Sequence, residues 1–90
     1  MDTNGEQRFY SLKRSILKQL EDMKRDEAMR SYESQLIGTK PDEFDLINYL
    51  AKRQMEEGAD IVLTTAIEVE PDGRFWIIYC DANKKPIELG

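Results

Sequence analysis

IVLTTAIEVEPDGRFWIIYC, residues 61–80, reads as two β-strands and the turn that joins them. Ile61, Leu63, Thr65, Ile67 and Val69 alternate with Val62, Thr64, Ala66, Glu68 and Glu70, the two-residue period of a strand with one face on a core. In Pro71-Asp72-Gly73 the proline presets φ and the glycine accepts a positive φ, which together specify a turn. A three-residue loop sets Glu70 opposite Arg74. Counting outward, Val69 faces Phe75, Ile67 faces Ile77 and Thr65 faces Tyr79 on one side of the hairpin. Glu68 with Trp76, Ala66 with Ile78 and Thr64 with Cys80 make the other side, which is no ordinary solvent face because Trp76 and Ile78 stand on it. Asp81 to Lys85 holds a second turn, and Pro86-Ile87-Glu88-Leu89 reads as a short third strand whose proline suits an edge.

Upstream of Gly58 the periodicity is helical. Thr3 and Glu6 have capping-box spacing, and no glycine or proline interrupts residues 6–37. An unbroken helix over that span is about 48 Å long at 1.5 Å per residue, a rod that protrudes from so small a domain. Taking Phe9 as zero and about 100° per residue, Leu12, Ile16, Leu20 and Met23 lie within about 60° of it, whereas Ala28, Met29, Tyr32 and Leu36 lie between about 100° and 200°. The apolar face therefore swings within Lys24 to Glu27. Either the helix breaks there, or one helix serves two packing surfaces. Gly38 reads as the helix stop and Pro41 as the opening of a second helix. Asp42, Glu43 and Asp45 sit where the helix dipole favours negative charge. Phe44, Ile47, Leu50, Ala51 and Met55 form the apolar face of that helix, widened by Leu46. Phe44, Ile47, Leu50, Ile67 and Ile77 are expected in the core.

The 90 residues suffice for one small domain. The fold class expected is α+β: two or three N-terminal helices (about 4–57) packed on a C-terminal antiparallel β-hairpin or three-stranded meander (about 60–89), all within one domain, 1–90. Residues 1–57 carry a net charge of −2 and residues 58–90 a net charge of −3, which together make the −5 of the whole chain. Neither part is a charged tail.

Composition narrows the chemistry. The chain has no histidine and one cysteine, which excludes a Ser-His-Asp triad, a Cys–His pair, a His-ligated metal, an intrachain disulfide and a multi-thiolate zinc site. The five glycines form neither a GxGxxG nor a GxxxxGK[ST] pattern. The acids at Asp42 to Asp45 read as helix capping, those around Gly58 (Glu56, Glu57, Asp60) as a solvated helix end, and Cys80 as a small core residue. No catalytic, cofactor-binding or metal-binding residue is nominated. The polar start has no secretory apolar stretch and no run is long enough to span a bilayer, so a cytoplasmic location away from the membrane is expected.

What remains is contact surface. The swing in the first helical region and the apolar content of the second sheet face nominate Met29, Tyr32, Leu36, Trp76 and Ile78 as an interface, and with it a homodimer or an unidentified protein partner. The acid-free run from Gln7 to Leu20 nominates Arg8, Lys13, Arg14 and Lys18 as a basic docking face. The function expected is that of a small non-enzymatic regulatory or accessory protein that self-associates. Two alternatives stand beside it. One is a ligand-binding protein or enzyme with a helix–sheet pocket lined by Trp76, Tyr79, Cys80 and the acids near Asp60. The other is a weak nucleic-acid binder using the basic start of the first helix, disfavoured by the acidic balance of the chain.

Overall fold

The computed structural model describes residues 3–30, 35–58 and 60–89. Its elements follow the order α1 (Thr3–Arg30), β1 (Leu36–Lys40), α2 (Glu43–Glu57), β2 (Thr64–Val69) and β3 (Phe75–Cys80). The class is α+β, with two helices and a three-stranded mixed sheet.

The hairpin has the register that the turn chemistry specifies. Val69 pairs with Phe75, Ile67 with Ile77, Thr65 with Tyr79 and Thr64 with Cys80. The loop closes with Glu70 N–H donating to the Arg74 carbonyl at 2.7 Å and Gly73 N–H donating to the Glu70 carbonyl at 2.9 Å. Gly73 has φ of +93°, the left-handed region that a Cβ disfavours.

The third strand lies elsewhere than expected. Residues 86–89 contribute only a bridge between Pro86 and Cys80. Instead β1 pairs parallel with β3, giving the order β1-β3-β2, so the sheet is neither a bare hairpin nor an antiparallel meander. Gly38, expected to stop a helix, lies inside β1, and Leu36 is a strand residue opposite Phe75. Pro41 precedes α2 rather than opening it. Asp42 is the N-cap, and its Oδ1 accepts from the N–H groups of Phe44 (2.9 Å) and Asp45 (3.3 Å), which satisfies donors that have no intrahelical partner.

Helix α1 runs unbroken through residues 24–27. Eighteen residues after Phe9, Glu27 returns to the same side of the helix, and there its Oε1 accepts from the Thr65 hydroxyl at 2.9 Å. Lys24 reaches Glu43 of α2 at 2.7 Å. The side facing the domain thus continues through polar contacts where the apolar pattern ends, and the helix has no need to break. At about 1.5 Å per residue α1 is roughly 42 Å long, and it sets the 53 Å long axis of a molecule only 20 and 17 Å across its other axes.

The core joins Ile16 and Leu20 of α1, Leu46, Ile47, Leu50 and Ala51 of α2, and Phe75, Ile77 and Tyr79 of β3. Two expected members are absent. Phe44 is 69% exposed, because it stands in the first turn of α2 at the margin of the arc set by Leu46, Ile47, Leu50 and Ala51. Ile67 is 38% exposed, because β2 is an edge strand and the helices centre on β3.

Candidate functional site

The β3 residues that pack with the helices are Phe75, Ile77 and Tyr79, so both helices lie on one side of the sheet. Cys80, on the other side, is buried at the strand's end. Trp76 and Ile78 project from the opposite side and are half-buried. Around Trp76 the sheet builds a specific setting. The backbone of β1 passes close beneath the indole, and a Cβ on Gly38 would come within 3.3 Å of Trp76 Cζ3. The indole N–H donates to Glu70 Oε1 at 2.8 Å. The Lys40 ammonium lies 4.7 Å from the ring centroid, within cation–π range, and 3.4 Å from Glu68 Oε1. Beside them a groove of about 320 Å³ is lined by Lys40, Pro41, Glu68, Ile78, Pro86 and Ile87. The result is an aromatic and aliphatic strip bordered by two carboxylates and one ammonium.

Of the four nominated interface residues that are described, Trp76 and Ile78 come together on one sheet face. Met29 is 68% exposed near the end of α1. Leu36 is drawn into β1 and packs against the core, so it does not extend a helical stripe. Tyr32 lies outside the described residues. The signal that located Trp76 and Ile78 was strand alternation, which survives in the structure. The signal for Leu36 was helical phase, which lost its meaning once that residue entered a strand.

The four basic residues do not share one side of α1. By helical phase Arg8 and Lys13 diverge from Arg14 and Lys18. Lys13 is turned inward over aromatic rings, 5.3 Å from the centroid of Phe9, 5.6 Å from Tyr10 and 6.0 Å from Phe44. Arg14 and Lys18 are exposed. They share their side with two exposed apolar residues that the sequence reading passed over, Tyr10 (58%) and Leu17 (39%). Their seven-residue spacing was the available clue.

The proposed helix–sheet pocket does not assemble. Tyr79 is fully buried and its hydroxyl donates to the Leu20 carbonyl at 3.0 Å. Burial, and secondarily the charge of Glu43, raise its pKa above the ordinary tyrosine value, which keeps the phenol neutral as a structural donor. Trp76 is on the other side of the sheet. Cys80 is buried, with its thiol pushed up in pKa by burial and then by Asp81, the opposite of what a thiolate nucleophile needs. Asp60 lines a separate cleft of about 380 Å³ with Asp22 and Lys18 of α1. Among the described residues no group of three or more acidic or cysteine side chains is placed to hold a metal ion, and no helix is long and apolar enough to cross a membrane.

No protein-family model matches the chain, and no curated protein or solved structure matches it either.

Proposed function

We propose that this chain is a small non-enzymatic protein that acts through protein–protein contacts, as a regulatory or accessory factor, and that it associates with itself through the sheet face its helices leave open. The observation that carries the reading is the one-sided placement of both helices, with Trp76 and Ile78 left half-buried on the other side beside an apolar groove. A small sheet with aromatic and aliphatic residues on its uncovered face gains by burying them against another surface, at about 25 cal/mol per Å² of apolar area. On this face the described ionisable pair, Lys40 with Glu68, is a solvent-exposed ion pair beside the indole, and binding is preferred to catalysis.

Sedimentation equilibrium tests the reading directly. The wild type is expected at twice its 10.5 kDa mass at high micromolar concentration. Ile78→Lys, with circular dichroism unchanged, is expected at monomer mass. A wild type that stays monomeric at that concentration, or a folded Ile78→Lys that dimerises as well as the wild type, refutes it.

A further inference from the structure

Two surfaces of this chain are complementary in charge, and each carries exposed or half-buried apolar side chains. One is the outer stripe of α1. At about 100° per residue Leu17, Tyr10, Arg14 and Lys18 fall within about 100° of arc, all four are exposed, and residues 7–20 contain no acid. Neither Arg14 nor Lys18 makes an ion pair among the described residues, although Lys18 borders a cleft with Asp22 and Asp60. The other surface is the open sheet face, where Trp76 and Ile78 are bordered by two carboxylates, Glu68 and Glu70, against the single ammonium of Lys40, in a part of the chain, 58–90, whose net charge is −3.

We infer that the occupant of the open sheet face is α1 of a second copy of this chain, its Tyr10 and Leu17 set on Trp76 and Ile78 and its Arg14 and Lys18 paired with Glu68 and Glu70. The inference rests on the self-association proposed above and names the contact that makes it. One chain cannot make this contact with itself, because its own α1 packs on the opposite side of the sheet. A two-fold axis lets each copy give its helix to the other's sheet, since in such a dimer residue i meets residue j and j meets i. The pairing uses opposite charge on the rim and apolar side chains at the centre, the arrangement common to protein interfaces. Two like surfaces do less well. Helix against helix brings Arg14 and Lys18 onto their own copies, and sheet against sheet does the same with Glu68 and Glu70.

Charge reversal separates these arrangements. Arg14→Glu with Lys18→Glu, and separately Glu68→Lys with Glu70→Lys, are each expected to weaken dimerisation at least about tenfold by sedimentation equilibrium, with circular dichroism confirming the fold. Mixing the two variants is expected to restore a dimer, because each reversed helix then meets a reversed sheet and each native helix a native one. Restored mass on mixing supports the contact. A dimer that tolerates either reversal overturns this contact and leaves self-association standing, whereas a monomeric wild type overturns both. If the reversed sheet variant does not fold, Glu68→Gln with Glu70→Gln replaces it: weakened dimerisation supports the contact, and unchanged dimerisation overturns it.

Discussion

Phe75, Ile77 and Tyr79 of β3 turn towards the helices and are at most 1% exposed, whereas Trp76 and Ile78, each one residue away on the same strand, remain half-buried. The two faces are held by different physics. The helix side is close-packed, and the buried Tyr79 hydroxyl is satisfied by a main-chain carbonyl. The other side has no helix over Trp76 and Ile78 among the described residues, although its Cys80 end is buried beside Pro86. It is ordered from within the sheet, by a backbone passing beneath the indole, a carboxylate on its N–H and an ammonium over its ring. Two layers of helix and strand are enough to fold a chain of this size, and the third layer is where another molecule has room to act.

The sharpest way to break that comparison is to truncate neighbours of like size on the two faces. Ile77→Ala, which empties a fully buried site, is expected to cost about 2–5 kcal/mol in urea unfolding. Ile78→Ala is expected to cost about 1 kcal/mol, since only part of its surface leaves water in the monomer. Equal losses measured at monomeric concentrations would mean that the two faces are not differently covered.

Tyr79→Phe probes a fully buried polar contact on the covered face. Losing the hydrogen bond to Leu20 is expected to cost about 1 kcal/mol at neutral pH. The sign of the pH effect follows from the raised pKa. The folded chain holds the phenolic proton more tightly than the unfolded chain, so this stabilisation is complete below the ordinary tyrosine value of about 10 and declines as pH rises beyond it. Thermal melts above that pH should therefore fall more steeply for the wild type than for Tyr79→Phe. Parallel declines would show that the phenol ionises as readily in the folded state as in the unfolded one.

The smallest effect belongs to the open face. Lys40→Ala removes an exposed cation from above Trp76 and is expected to cost about 0.5–1 kcal/mol. Trp76 is the chain's single tryptophan, so its emission reports on the site alone. The expected outcome is a shifted emission maximum with a fall of a few degrees in melting temperature. An unchanged spectrum would mean that the ammonium does not hold the position over the ring.

The hairpin was legible from residues 61–80 because its determinants are local. Strand alternation fixes which side each residue takes, Pro71-Asp72-Gly73 fixes the loop, and a fixed loop fixes every pairing beyond it, including the separation of Trp76 and Ile78 from Ile77 and Tyr79. The end of α2 was equally local, resting on Gly58 as a stop, whereas its start, expected at Pro41, is set by Asp42 as the N-cap. Other features were decided by contacts between distant residues. Leu36 to Lys40 is five residues long and contains a glycine, so alone it resembles a helix end. It becomes a strand only because β3 offers a free edge about forty residues away. The continuity of α1 depends on Thr65 and Glu43 meeting Glu27 and Lys24, and no periodicity within the helix encodes those partners. Phe44 and Ile67 carry core residue types, yet a first helical turn and an edge strand leave them in water. By itself the sequence determined the alternation and the turn, since a strand's period and a glycine's φ depend only on the chain's own covalent geometry. The tertiary structure alone decided which edge received the third strand and which face stayed open, because both depend on where helices of fixed length can lie once one side of the sheet is filled.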